Sequence, residues 1–375
     1  MAPLVTAIRE PQRGGSQAFV SDLARGLTGR GHEVHVYAAS GSEIPGVEVI
    51  DTGVDPRTLA GTLYRAFGHP GSSGPAGSRP AGSRPAGPEP AAAGSAFARA
   101  YRRVQEIQYD VIHNHAFDAP AVRLAAALQP PVVHTLHLPP DEAVAAALRH
   151  AARGGRPPAV AAVSVFQASA WRRIVRVDAI LPPYVPTHVI PWSREAGEGA
   201  IFAGRLSPEK GAAEAIDIAR AAGVPIDVYG DAYDAGYSRD QIGPRRAWPG
   251  VTVHDAVPRA SLWVAMARAA VVLFPARWAE PFGMAAAEAQ ACGTPVVAFR
   301  CGALGEVIAD GVTGFLVPPD DIAAAAEAVG RTARISRPDC RDHAEGHLDL
   351  EQSLDAHERL YRQVVSSETR AADGG

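Results

Sequence analysis

The stretch AVVLFPARWAEPFGMAAAEAQACGTPVVAF, residues 270–299, decides the fold. It begins and ends with short runs rich in β-branched residues, and the alanine-rich segment between them favours a helix. A strand, a helix and a second strand in this order are typical of a parallel sheet covered by helices. Two carboxylates, Glu280 and Glu288, bracket the start of the helix, and a purely structural helix would not need them.

The same alternation runs along the whole chain in two sets and predicts an α/β protein with two Rossmann-like domains. The first set contains the predicted strands PLVTAI, EVHVYAA, DVIHNHA and PPVVHTLH, and the second contains GAIFAGRL, PIDVYGD, VTVHDAV, AVVLFPA, TPVVAF and GFLVP. We place the two domains at 1–193 and 194–345, followed by a helix at 346–366 and a disordered tail at 367–375. Residues 68–95 repeat glycine, serine, proline and alanine, so we predict a disordered insertion there.

Composition narrows the class of protein. The net charge of −4 is close to balance, which argues against a nucleic-acid partner. The three cysteines form no Cys-x-x-Cys pair and predict neither a disulfide framework nor a zinc site. The N-terminus lacks a signal-peptide pattern and no apolar run is long enough to span a bilayer, so we expect a cytoplasmic protein. The basic segment ASAWRRIVRV (168–177) allows peripheral membrane contact at most, and an ordinary surface helix is the alternative.

The start of the central helix is a candidate anion site. Free backbone N–H groups are expected at Phe282, Gly283, Met284 and Ala285, and glycine permits close approach of a phosphate. Eight helical residues span at most about 12 Å, so the two glutamates are too far apart to act on one scissile bond. They could instead bind the two ends of an elongated ligand such as a sugar nucleotide.

Two further segments carry candidate phosphate-binding residues. Arg205 and Lys210 flank a turn between a strand and a helix, where two cations could neutralise a diphosphate. The alternative is an exposed turn with ordinary surface cations. Gly14 and Gly15 precede the first helix and could allow close backbone approach to a phosphate or sugar, although a flexible turn would use glycines equally well. No Asp-x-Asp follows a predicted strand, so we predict no site for a metal-bound nucleoside diphosphate.

Five blocks together resemble the retaining glycosyltransferases of family four, which have the GT-B fold. In chain order they are PQRGGSQAFVSDLARGLTGRGHEVHVY, DVIHNH, VVHTLH, GRLSPEKG and EPFGMAAAEAQACGTPVVAFRCGALGEVIADGVTGFLVPPDD. The resemblance implies that the two Rossmann-like domains face a central cleft. It also implies that the C-terminal helix crosses back to the first domain.

The resemblance assigns a role to each candidate residue. It implies that Glu280 contacts the hydroxyls of the donor sugar, that Glu288 contacts the ribose, and that Arg205 and Lys210 hold the diphosphate. The backbone of Phe282, Gly283, Met284 and Ala285 and that of Gly14 and Gly15 would complete the donor site. His137 would lie near the transferred sugar. His113 and His115 are weaker acceptor-side candidates, and a buried structural role is as well supported for them. A metal site formed by His113, His115, His134 and His137 is the least favoured alternative.

The implied activity is that of a hexosyl-type enzyme of class EC 2.4, which moves a sugar from a nucleoside diphosphate to an acceptor hydroxyl with retention of anomeric configuration. The donor would be a co-substrate of the UDP or GDP type, with no cofactor and no metal. The alternatives are a non-catalytic nucleotide-sugar-binding subunit and, on the same fold, a sugar-nucleotide epimerase or an inverting transferase. The acceptor and the oligomeric state are not predicted.

Overall fold

A computed structural model describes residues 1–59, 91–154, 156–195 and 197–373 of the chain. The chain divides into two compact units. Unit 1 contains Met1–Arg9, Ser16–Pro183 and Ser353–Gly375, and unit 2 contains Glu10–Gly15 and Tyr184–Gln352. Among the described residues, none of the helices combines the length and the apolar character needed to cross a membrane.

Unit 1 contains parallel strands flanked by helices. One sheet has the order β1-β2 and the other the order β3-β4-β5-β6. The strands are β1 His35–Ala38, β2 Glu48–Asp51, β3 Ile112–Asn114, β4 Val132–Leu136, β5 Ala159–Ala162 and β6 Ala179–Ile180. The helices are α1 Gly15–Gly29, α2 Ala91–Val104, α3 Ala119–Ala125, α4 Glu142–Ala151 and α5 Val165–Trp171.

The predicted first strand, PLVTAI, is wrong, because residues 3–8 contain a turn and a bend instead. Pro3 has no N–H to donate to a neighbouring strand, which disfavours a central strand at this position. Met1 and Ala2, just before it, do pair with the sheets: Ala2 N–H donates to the Tyr37 carbonyl at 2.9 Å, and Met1 C=O accepts from His115 N–H at 2.9 Å. These two residues therefore lie between β1 and β3.

Unit 2 has one parallel sheet of six strands in the order β12-β11-β10-β7-β8-β9. The strands are β7 Ala200–Ala203, β8 Ile226–Tyr229, β9 Val251–His254, β10 Val271–Phe274, β11 Val296–Phe299 and β12 Gly314–Val317. The helices are α6 Ala212–Ala222, α7 Ala235–Tyr237, α8 Gly243–Arg246, α9 Arg259–Arg268, α10 Met284–Ala291, α11 Leu304–Val307, α12 Ile322–Arg331 and α13 Arg337–His347. Each strand predicted for the second set is confirmed.

The unit 2 sheet is buried on both faces, as its continuous apolar strands predict. Val272 and Phe274 of β10 belong to one core cluster, whereas Val271 and Leu273 belong to a second. Because successive side chains of a strand point to opposite faces, the sheet lies between the two clusters. Helices on both faces leave the strand ends as the place where polar side chains can gather.

The division between the units falls after Pro183, earlier than the predicted boundary at 193. Two buried arginines of α13 account for the difference. The Arg341 guanidinium donates to the Thr187 carbonyl at 2.9 Å and to the Ile190 carbonyl at 3.1 Å. Arg337 donates from Nε to the Ser193 carbonyl at 2.9 Å. These contacts fix the proline-rich connection to unit 2.

The last helix, α14, spans Leu350–Asp373, and its residues from Ser353 onward belong to unit 1. The predicted return of the C-terminal helix to the first domain is therefore confirmed. Asp355 accepts from Arg30 at 2.8 Å, and an added Cβ on Gly26 would lie 2.7 Å from a Leu354 methyl carbon. The close approach of α1 and α14 thus leaves little room for a side chain at position 26.

Two predictions of disorder need correction. Residues 367–373, placed in a disordered tail, continue α14, since the sequence there still contains good helix formers. Residues 91–95, placed in the disordered insertion, begin α2, where Ala93 is buried. The rest of that predicted insertion, 68–90, lies outside the described residues.

Candidate active site

The loop before α10 is fixed by two glycines. Gly283 has φ 105°, and an added Cβ would lie 2.5 Å from a Leu304 methyl carbon. Gly302 has φ 59°, and its Cβ would lie 2.2 Å from the Glu280 carbonyl oxygen. Positive φ and these close approaches both require glycine. The Glu280 carbonyl also accepts from Ala303 N–H at 2.8 Å, so the backbone carrying Glu280 is held in one position.

Glu280 is buried beside a cation and an indole. Its Oε2 atom accepts from Lys210 Nζ at 2.8 Å and from Trp278 Nε1 at 2.6 Å. Lys210 Nζ also lies 4.9 Å from the centre of the Trp278 ring. The structure therefore brings together Lys210 and Glu280, which are 70 residues apart in sequence.

A tight turn between β7 and α6 carries both predicted cations. Gly211 has φ 75°, and an added Cβ would lie 2.0 Å from the Pro275 carbonyl oxygen, just after β10. This contact places Lys210 beside the carboxyl end of β10, a central strand of the sheet. Arg205 pairs with Glu209 at 3.2 Å, and its guanidinium lies 4.5 Å from the centre of the Tyr233 ring.

Glu288 has a different cation. Arg259, the first residue of α9, pairs with it through Nη2 at 2.7 Å and Nε at 2.8 Å. Glu288 and Arg259 are 6 % and 9 % exposed. The backbone N–H of Arg259 donates to the Glu10 carboxylate at 3.0 Å. The two glutamates of α10 and its preceding loop are thus each neutralised by one cation.

The remaining predicted donor-binding residues surround the start of α10. Phe282 is buried, whereas Met284 and Ala285 are half-buried. The N–H groups of Met284 and Ala285 have no acceptor within the described part of the chain. Gly15 approaches this helix closely, since an added Cβ would lie 3.2 Å from Met284 Sδ. Gly14 belongs to the same six-residue segment of unit 2.

The predicted histidines belong to unit 1 and contact one another there. A ring nitrogen of His115 lies 2.9 Å from one of His137, and His113 lies 2.7 Å from Thr135 Oγ1 and 2.6 Å from the Tyr361 hydroxyl. His357 of α14 packs on the same group, with its ring 5.5 Å from that of His113. Burial lowers the pKa of His137 to about 3 and that of His357 to about 4, so both rings are neutral at pH 7.

The sheet itself separates the four histidines considered as metal ligands. His134 contacts Asn114 at 2.8 Å, whereas its neighbour Thr135 contacts His113. Successive residues of a strand point to opposite faces, so His134 lies on the other face from His113. No group of three or more potential ligand side chains is arranged for a metal among the residues that the structure describes.

Several residues of the site were not predicted from the sequence. Trp278 and Gly302 contact Glu280, and Glu209 and Arg259 pair with predicted residues. Trp278 could have been proposed from the sequence, because it lies only two residues before Glu280. Nothing in the sequence indicates that Arg259 would pair with a carboxylate 29 residues away.

The two units, each built on parallel strands covered by helices, have the architecture of a GT-B protein, and comparisons with known proteins agree. The family described as Glycosyltransferase Family 4 matches residues 13–191, and the one described as Glycosyl transferases group 1 matches residues 193–339. The chain therefore belongs to the glycosyltransferases of family four and has the GT-B fold.

Several relatives and solved structures align with 85–98% of the chain. The D-inositol 3-phosphate glycosyltransferase of Kribbella flavida is 28% identical over 96% of this chain and 92% of its own. That of Acidothermus cellulolyticus is 29% identical over 85% of this chain and 78% of its own. Among solved structures, sucrose-phosphate synthase from Thermosynechococcus elongatus has a TM-score of 0.73 at 19% identity, covering 98% of this chain and 100% of its own. Anabaena HepE, solved with UDP-glucose, has a TM-score of 0.66 at 20% identity, covering 96% of this chain and 98% of its own.

Proposed function

We propose that the protein transfers a hexosyl residue from a nucleoside-diphosphate sugar to an acceptor hydroxyl with retention of anomeric configuration. One observation carries the proposal: Lys210 is paired with Glu280 at the start of α10. A cation for the diphosphate thereby lies next to an acceptor for sugar hydroxyls. Arg205, on the same turn as Lys210, supplies a second cation.

The chemistry follows from where charge develops. When the bond between the anomeric carbon and the diphosphate oxygen breaks, the electron pair leaves with the diphosphate and the sugar ring becomes cationic. Lys210, Arg205 and the first N–H groups of α10 stabilise the negative charge on the leaving group. The acceptor hydroxyl attacks from the same face and passes its proton to the departing phosphate oxygen. This route retains configuration and requires neither a cofactor nor a metal ion.

The comparisons suggest the first substrates to test. HepE was solved with UDP-glucose, so a UDP-hexose is the first donor, with GDP-hexoses as the second series. The relatives are D-inositol 3-phosphate glycosyltransferases, so inositol phosphate belongs in the acceptor screen. His137 is proposed to contact the transferred sugar, and His113 and His115 to contribute to the acceptor side.

A mass-spectrometric screen tests the proposal. The protein is incubated with UDP-hexoses and GDP-hexoses, with and without acceptors. Products are identified by mass, and NMR then assigns the anomeric configuration and detects epimers of the donor, which have the same mass as the donor. We expect free nucleoside diphosphate together with an α-linked product from an α-linked donor. A changed donor sugar without transfer would identify an epimerase instead. Donor binding without release of nucleoside diphosphate would identify a non-catalytic subunit.

A further inference from the structure

Trp278 occupies a position that the proposed chemistry does not yet use. Its indole N–H donates to Glu280 Oε2 at 2.6 Å, the same oxygen that accepts from Lys210 at 2.8 Å. The other carboxylate oxygen, Oε1, has no hydrogen bond to a described residue. One oxygen of Glu280 is therefore held by the protein, and the other is available to a ligand.

The loop that carries Trp278 is held on both sides. The neighbouring Arg277 pairs with Asp320 at 2.7 Å and with Glu214 at 3.1 Å, and its backbone N–H donates to the Glu209 carbonyl at 2.9 Å. Trp278 itself packs against the core cluster under α10. A donor on such a fixed loop can set the orientation of the carboxylate that it contacts.

The two hydrogen-bond donors to Glu280, Lys210 and Trp278, differ in whether a bound diphosphate would draw them away. Lys210 is the cation that we assign to the diphosphate, and a flexible ammonium group can turn from one anion to another. Once Lys210 contacts the diphosphate, the bond from Trp278 is the contact left on Oε2. A neutral N–H also leaves the full negative charge on Glu280, which strengthens its hydrogen bonds to sugar hydroxyls.

We propose that Trp278 is a positioning residue that orients Glu280 toward the donor sugar while Lys210 exchanges between Glu280 and the diphosphate. This inference rests on the proposed function. In this proposal, the indole N–H group contributes to sugar transfer by orienting Glu280, and the aromatic face of the ring does not.

The test uses Trp278→Phe, which keeps an aromatic face beside Lys210 and removes the N–H. We expect kcat with a UDP-sugar to fall about tenfold, the size of a lost hydrogen bond to a charged group. The Kd of free UDP should change less than about twofold, because free UDP lacks the hexose that Glu280 is proposed to hold. Trp248→Phe is the matched control. The guanidinium groups of Arg220 and Arg245 lie 4.2 and 5.5 Å from the centre of the Trp248 ring, outside the candidate site, so this variant should behave as the parent does.

A double-mutant cycle separates positioning from packing. In the Glu280→Ala background, Trp278→Phe should cause no further loss of kcat, because the group it orients is gone. A full tenfold loss in that background, or a Trp278→Phe enzyme as fast as the parent, would overturn the inference. If the parent itself transfers no sugar from any donor, the proposed function fails and the role of Trp278 fails with it. A parent that is active beside an equally active Trp278→Phe variant refutes only the inference.

Discussion

The two units place polar side chains at the carboxyl ends of their parallel strands, where ligands bind in such sheets, but they treat charge in opposite ways. In unit 2, the cations Arg205, Lys210 and Arg259 each pair with a glutamate. In unit 1, His113, His115 and His137 lie together with His357, and burial lowers the pKa of each ring well below its usual value. At these strand ends, unit 2 holds charged side chains in ion pairs, whereas the clustered histidines of unit 1 are kept neutral by burial.

This difference fits the two halves of the proposed reaction. A departing diphosphate gains negative charge and needs cations that are already in place. An attacking hydroxyl is neutral, and neutral imidazoles can accept or donate a hydrogen bond without adding charge. The comparison therefore predicts that changes of charge will act on nucleotide chemistry in unit 2 and on stability in unit 1.

Removal of a unit 2 cation should have the largest effect. Lys210→Ala is expected to lower kcat/KM for a UDP-sugar about 100-fold, the usual cost of removing one group that stabilises a developing anion. Steady-state kinetics with the donor as the varied substrate measures it. Arg220→Ala, which removes a cation that packs on Trp248 in the same unit, is the control and should leave kcat/KM unchanged. A loss below tenfold in Lys210→Ala would contradict the diphosphate assignment.

Acidification should lower the stability of unit 1. The pKa of His357 is lowered to about 4 by burial, below the value of about 6.5 in an unfolded chain. The unfolded state therefore binds the proton first, so the contribution of this ring is fully present above pH 6.5 and is lost as the pH falls toward 4. By linkage, titration of His357 alone should lower the free energy of unfolding by about 2 kcal/mol as the pH falls from 7 to 5.

Denaturant unfolding at a series of pH values checks this expectation. His357→Asn should lose less stability than the parent between pH 7 and pH 5, by about that amount. His188→Gln removes an exposed histidine and should follow the parent curve. Equal pH dependence in His357→Asn and the parent would show that this ring is not held neutral by the fold.

The two glutamates of unit 2 allow a finer test, because their cations differ. Glu280→Gln frees Lys210 for the diphosphate and removes a nearby negative charge, so it should tighten the binding of free UDP while slowing transfer about tenfold. Glu288→Gln should weaken UDP and the intact donor alike, about tenfold, because both carry the ribose. Titration calorimetry with both ligands distinguishes the variants, and Glu327→Gln, on the exposed side of α12, serves as the control. If Glu280→Gln lost affinity for free UDP and for the intact donor equally, the assignment of Glu280 to the donor sugar would be wrong.

The sequence predicted the fold well, because alternating strands and helices of parallel sheets depend on local patterns. The sequence also placed Lys210 and Glu280 in one candidate site, since each follows a strand of the same sheet, and the structure pairs them. Arg205 and Glu288 pair with residues that were not predicted. The turn at 3–8 was missed because an apolar run resembles a strand whether or not it pairs. The helix at 367–373 was missed because we expected a polar terminus to be disordered, although its residues favour helix.

The partners within the site were harder to predict. The bond from Trp278 to Glu280 depends on the conformation of a loop that Gly302 holds from a distance in sequence. The pair Arg259–Glu288 joins two helices whose relative placement no local pattern specifies. Side-chain pairing of this kind follows from tertiary packing, so it becomes visible only in the folded chain.

The smallest expected effect concerns divalent metal ions. In the proposed reaction, Lys210, Arg205 and the first N–H groups of α10 supply the positive charge that neutralises the diphosphate. Dialysis against a chelator should therefore leave kcat and the KM for the donor unchanged within about twofold, less than the smallest loss expected from a hydrogen bond to a charged group. Re-addition of magnesium or manganese to the dialysed enzyme is the control, because it shows whether any loss of activity is due to removal of the ion. If chelation abolished transfer and either ion restored it, the cations of unit 2 would be insufficient for the leaving group, and the contrast between the units would lose its chemical basis.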